Sequence, residues 1–328
     1  MTTELIVVDK NCGTPLSRCL RFCQSPEYQF YCDLSCNTNR LNWPVVCGVS
    51  ASASYYDPKI SSTFRSLDDE KHGRWKAQFQ DRRRMIGKFG IEDLVIQTKD
   101  NEAAIKVDFE FVHAFSMDIR LFQVDDSNAV FGIAPGRRST ILRLFEANII
   151  AKPLLSISLL KTEMVFGDLD RKNCENDWEF HSTVKDDRWT IAVDSIYISH
   201  VGTFGKGLAH LQTHWPVIGV PTKVIEKLIE EKVITVSLLD TYFFADCEVF
   251  NLTIKISIDG KVYTLTKEHL SALYFESTCY ILLQRVPPVR YSNEEVWILG
   301  HPFVGHAYCV AFDFQKNRIG IVSYLDNV

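Results

Sequence analysis

No apolar run among the 328 residues approaches the length of a membrane span, so no membrane partner is expected. An excess of basic charge is missing too. Thirty-six Lys and Arg stand against 41 Asp and Glu, for a formal net charge of -5 and a pI near 6.0. That balance argues against a general nucleic-acid binder and gives no sign of attraction to a lipid surface. The sequence has no glycine-rich phosphate loop, no dinucleotide-binding fingerprint and no Gly-x-Ser-x-Gly element, so the usual signs of nucleotide binding and serine hydrolysis are absent. Ten cysteines are present, but none form the paired Cys-x-x-Cys pattern of a zinc site, and neither a metal nor a cofactor is expected. Low-complexity linkers are lacking. The opening Met1-Thr2-Thr3-Glu4 does not carry the basic, then apolar, pattern of a secretory leader.

What is present is a chain with 46% hydrophobic residues, enough for two ordinary domains or one large two-lobed body with a substantial core. Short apolar segments punctuated by turn residues predict strands at 4–8, 94–96, 105–111, 155–159, 190–198, 252–258 and 319–322. Two runs have apolar residues spaced three and four apart, Ile141, Leu142, Leu144 and Phe145 on one, Val224, Ile225, Leu228 and Ile229 on the other, and these predict helices. Cys36 and Cys47 flank a loop rich in polar and turn residues and form a candidate bridge, whereas Cys12, Cys19, Cys23 and Cys32 are too crowded to assign. Cys174 and Cys309 can pair with each other. Asn251-Leu252-Thr253 is a glycosylation sequon that matters only if the chain enters the secretory pathway.

Several landmarks recur in order. Gly13-Thr14-Pro15 leads through Leu20-Arg21-Phe22-Cys23 to Gln24-Ser25-Pro26, and Leu208-Ala209-His210-Leu211 leads to Gln212-Thr213-His214 with Pro221 beyond. Tyr56-Asp57-Pro58 with Ser61-Ser62-Thr63-Phe64, Gly87 through Leu94, Phe166-Gly167-Asp168-Leu169-Asp170, and Phe312-Asp313-Phe314 with Arg318-Ile319-Gly320 complete the series. Ala129 through Ala134 in one half and Trp297 through Phe303 in the other repeat an apolar-apolar-glycine pattern, which makes a twofold pseudo-repeat. Together these resemble the pepsin-like aspartic peptidases, particularly degenerate nematode versions, over nearly the whole chain. The resemblance implies a mainly β, two-lobed fold with a few short helices, an N-terminal lobe at 1–161 carrying a flap and a C-terminal lobe at 162–328. It also implies a bridge between Cys247 and Cys279, which sit in stretches resembling the family's bridged loop.

Peptide hydrolysis in that family uses two facing carboxylates that share a proton, because two negative charges about 3 Å apart do not both persist. In this sequence Gln24 and Gln212 stand at the two aspartate positions. An amide has nearly the same shape and holds water, but has no titratable proton in the working range and is no general base. Ser25 and Thr213 keep the hydroxyls that brace the two loops in the family, while Pro26 and His214 replace glycines, and Glu27 and Trp215 replace small hydroxyl residues. A register that makes Asp33 the first acid needs an insertion after Gly13-Thr14-Pro15, gives Asp33-Leu34-Ser35, and still leaves Gln212 without an acid.

The flap is expected at 75–85, with Phe79 in place of the usual tyrosine. Arg82, Arg83 and Arg84 there read as a solvated turn, or as a contact for an acidic ligand at the cleft mouth. His210, His214 and His301 lie in strand and turn, where their spacing does not suit zinc, and are read as ordinary core or surface histidines. The expected function is an inactive relative that keeps a peptide-binding cleft, with Phe79 and Trp215 as apolar contacts and an extended peptide or protein as partner; a monomer is expected. An active endopeptidase working at acidic pH, and an inhibitor or partner-binding scaffold acting through its outer surface, are the alternatives. Resemblance and cysteine content favour an extracellular or endolysosomal location, while the opening residues lack a leader; a truncated gene model, mature-form numbering and true cytosolic residence are the alternatives that this conflict leaves open.

Overall fold

A computed structural model describes residues 5–8, 58–67, 74–78, 84–97, 104–117, 129–136, 139–184, 188–237, 242–286 and 296–325. Gln24, Ser25, Asp33, Cys36, Cys47 and Phe79 lie outside the described residues. The chain is mainly β with a few short helices, and it divides into two compact units, Met1–Ile133 with Arg138–Ile149, and Ala134–Arg137 with Ile150–Val328.

The first unit is built on two fourteen-residue strands, Arg84–Gln97 and Ala104–Met117, paired antiparallel from Met85 opposite Met117 to Gln97 opposite Ala104. Strand Leu5–Val8 runs parallel to the second of these and antiparallel to Ala129–Phe131. Arg74–Gln78 pairs with Arg84–Gln97 as a hairpin in which Gln78 faces Arg84. Two of the sequence landmarks meet in this sheet. Arg65 and Ser66 pair with Ile91 and Gly90, the Thr63 hydroxyl donates to the Glu92 carboxylate, and Phe64 stands edge-on to Phe111 with ring centres 6.3 Å apart. Gly90 is required there, because a Cβ would lie 2.4 Å from the Phe64 ring. The helix expected near 141–145 spans Thr140–Glu146 and buries Thr140, Ile141 and Leu144. Phe145, placed on the apolar face by spacing, is instead exposed. It follows the buried Leu144, and neighbouring residues diverge by roughly 100° around a helix of 3.6 residues per turn.

Among the described residues the second unit contains four sheets. One has the order Thr190–Val193, Gly207–Leu211, Val296–Leu299, Ile218–Pro221, Leu283–Val286, and it carries the site described below. A second runs Glu163–Phe166, Leu154–Ser158, Tyr308–Asp313, Arg318–Ser323, Glu179–Ser182. Every residue of Leu154–Ser158 is buried, as expected for a strand covered on both faces. The strand expected at 155–159 ends at Ser158, where Leu159–Lys161 tightens into a 3-10 turn closed by Thr162 at φ 53°. The segment expected as one strand at 190–198 is two, in different sheets. Asp194 breaks it: its carboxylate accepts the Gly260 backbone N–H at 3.0 Å and its own N–H goes to the Ser257 carbonyl.

Helix Thr222–Glu230 buries Val224, Ile225 and Leu228 fully, on the expected face, with Ile229 half-buried. The four described cysteines form two disulfides, Cys174–Cys309 and Cys247–Cys279, both anticipated from the sequence. Next to the first, buried Asp170 accepts from the Ser158 hydroxyl, the Asn173 side-chain amide and the backbone N–H groups of Lys172 and Asn173. Burial alone would push its carboxyl up, but these hydrogen bonds outweigh burial and hold it below the usual carboxylate range.

Candidate functional site

The loop 212–217 joins two strands that never pair with each other. Strand Gly207–Leu211 enters it, strand Ile218–Pro221 leaves it, and strand Val296–Leu299 lies between them. It is parallel to the first, with Leu208 opposite Val296 through Leu211 opposite Leu299, and antiparallel to the second at Gly219 opposite Ile298. Both crossings need glycine. A Cβ on Gly219 would fall 2.6 Å from Val286 and 2.8 Å from Ile298, and one on Gly300 would fall 2.2 Å from the carbonyl oxygens of Trp215 and of Val217. The apolar-apolar-glycine run at Ile298-Leu299-Gly300 is therefore a seat on which the loop backbone rests directly.

Gln212 stands at the start of that loop and is 5% exposed. Its N–H donates to the Leu299 carbonyl at 3.0 Å, and its carbonyl accepts the Trp215 N–H at 3.1 Å, which closes a turn. His301 then holds the loop twice. Its backbone N–H donates to the Trp215 carbonyl at 2.8 Å, and its Nε2 lies 2.6 Å from the Thr213 carbonyl oxygen, so Nε2 carries the proton and donates. Thr213 is half-buried; the contact just given runs through its carbonyl. Trp215 is half-buried, with its indole N–H enclosed and without an acceptor among the described residues, and His214 is exposed and edge-on to it at 6.3 Å.

The three histidines singled out in the sequence do not converge on one point. His210 is buried, and its Nδ1 is 2.6 Å from the Thr190 hydroxyl on the neighbouring strand; His214 points out; His301 is engaged with Thr213. The sequence reading did not foresee the His301 clamp, although Gly300-His301 marks its position. It also missed a relay in the same unit, in which buried His181 places Nδ1 2.8 Å from the exposed Asp259 carboxylate and Nε2 2.7 Å from the buried Tyr263 hydroxyl. Separations of 78 and 82 residues leave no local signal for that relay.

A family model described as eukaryotic aspartyl protease matches residues 36–324. The matched range includes Gln212, Thr213, Trp215 and His301 and begins after Gln24. Cathepsin D of Bos taurus is 26% identical over 168 residues, a stretch that covers 48% of this chain and 42% of that protein. The chain thus matches less than half the length of this relative.

Proposed function

The chain belongs to the eukaryotic aspartyl protease family, and from that premise we propose that it has lost proteolysis and keeps a cleft that binds extended polypeptide. The observation that carries this reading is Gln212. It occupies the buried start of a loop held by Leu299, Gly300 and His301, where the family's chemistry calls for the second of two carboxylates. An amide there accepts and donates hydrogen bonds but neither takes a proton from water nor returns one to a leaving amine. Loss of one member removes the coupled titration of the pair, whatever occupies the first position. Gln24 is proposed as the matching loss, with Ser25 and Thr213 bracing the loops and Phe79 and Trp215 lining the cleft.

Binding without cutting fits the chemistry that is left. A strand-like ligand is held mainly through its backbone, with alternate side chains in pockets, and none of that requires an acid. The flap is proposed at 75–85, a stretch that includes part of the antiparallel pair Arg74–Gln78 and Arg84–Gln97, and it would cover such a ligand. Proteolysis is named in the matching family itself, and that favours a second reading, an active endopeptidase working in acid.

A purified, disulfide-bonded chain incubated with denatured protein separates the two readings. Across about pH 3 to 7, the range over which a working carboxylate pair titrates, no peptide products are expected. Pepstatin-sensitive cleavage anywhere in that range would overturn the proposal. The same sample should still retain an extended peptide in equilibrium dialysis.

A further inference from the structure

We propose that Asn251 is an N-glycosylation site, carrying an oligosaccharide on its side-chain nitrogen over an open depression of the second unit. Asn251-Leu252-Thr253 is the single Asn-x-Ser/Thr triplet in the 328 residues, and neither Leu252 nor the following Ile254 is a proline that would spoil it. The fold presents it well. The three residues lie in an irregular segment just before strand Ile254–Ile258, with Asn251 exposed, Leu252 fully buried and Thr253 half-buried. Leu252 anchors the segment in the core and turns the asparagine outward, so a bulky group on it displaces nothing.

The backbone of the segment is fixed independently of the side chain that would be modified. Thr253 exchanges two backbone contacts with Ser199: its N–H donates to the Ser199 hydroxyl at 2.9 Å, and its carbonyl accepts the Ser199 N–H at 3.0 Å. The Asn251 carbonyl lies 3.0 Å from His200 Nε2. The Asn251 side-chain amide has no hydrogen-bond partner among the described residues, so modification breaks no contact there. Beside it lies a depression of about 560 Å³ lined by His200, Lys232, Phe244 and Val249, the last of these 78% exposed. A glycan stem over that surface would cover an apolar side chain that otherwise faces water.

A second observation points to the compartment where the chemistry occurs. Cys247–Cys279 closes four residues before the sequon, Cys174–Cys309 is fully buried, and disulfides of this kind form in an oxidising environment. The co-reactant is an oligosaccharide linked through diphosphate to a polyprenyl lipid, presented by a transferase in the same compartment. The amide nitrogen attacks the anomeric carbon, a C–N bond forms, and the bond from that carbon to the phosphate oxygen breaks. Its electron pair leaves with the lipid diphosphate, and one amide proton passes to the transferase's base.

The test is peptide mapping of the natural chain recovered from its source, after peptide N-glycosidase treatment in heavy-oxygen water. Position 251 is expected as labelled aspartate in most molecules; an unmodified Asn251 amide would overturn the proposal. Recombinant full-length chains from a eukaryotic secretory host give a second readout on the intracellular pool, so the result does not depend on secretion. Thr253→Ser keeps the triplet and should keep the glycosidase-sensitive mobility shift, while Thr253→Ala and Asn251→Gln should lose it with the Ser199 backbone contacts intact. A shift that survives Thr253→Ala would also overturn the assignment.

Discussion

A single methyl group at Gly300 would stand 2.2 Å from two carbonyl oxygens of the loop it supports, and both of those oxygens are fixed in backbone. No rotamer relieves that contact, so the loop 212–217 or the strand beneath it must move. Gly300→Ala should cost roughly 3 kcal/mol or more in urea unfolding, against about 1 kcal/mol for a typical surface or strand substitution. At the same scale, part of the site was legible and part was not. Gln212 and Gly300 are readable because the order of residues around each is distinctive. The Nε2 donation from His301 to Thr213, across 88 residues, depends on the way two strands flank a third, and no local pattern encodes it. Phe145 shows the opposite failure: its spacing was correct for a helix, but the buried face centres on Thr140, Ile141 and Leu144, and at about 100° per residue Phe145 falls to its side.

One short helix among the described residues starts at a side-chain capping box that titrates. Helix Lys267–Leu270 starts at Thr266, whose backbone N–H lies 3.1 Å from His269 Nδ1 in a capping box, and only an unprotonated Nδ1 accepts that bond. Burial pushes the His269 imidazole down from its ordinary 6.5, Glu268 pulls it back up, and the charge of His306 pushes it down again, with a net lowering. The unfolded chain therefore takes the proton first. The stability contributed by neutral His269 is fully present above pH 6.5 and is lost as pH falls through the lower folded value. His269→Gln keeps an acceptor at the same place and removes the titration. It should leave the thermal midpoint near wild type at neutral pH and flatten its decline on acidification below 6.5, as followed by circular dichroism at a series of pH values. Elements themselves were easier to read than their sheets. The break at Asp194 that sends one apolar run into two sheets depends on Gly260 and Ser257, more than 60 positions away, whereas the run's apolar character is local.

Over the whole molecule, the two described disulfides close loops of very different size, 135 residues for Cys174–Cys309 and 32 for Cys247–Cys279. By loop-closure entropy the first stabilises by about 5 kcal/mol and the second by about 4 kcal/mol. The double variant Cys174→Ser with Cys309→Ser should therefore lower the urea midpoint further than Cys247→Ser with Cys279→Ser, and a reversed order in equilibrium unfolding would contradict that ranking. The arrangement of strands has another consequence, one of timing. Strand Val296–Leu299 fills the gap between Gly207–Leu211 and Ile218–Pro221, and Tyr308–Asp313 pairs with Leu154–Ser158. A ribosome translating this message therefore releases some hundred residues of the C-terminal unit before their central neighbour exists. Until then two apolar strands wait open-edged in the cytosol, translocation channel or chaperone that receives them, and a premature stop codon between positions 221 and 296 leaves them open for good.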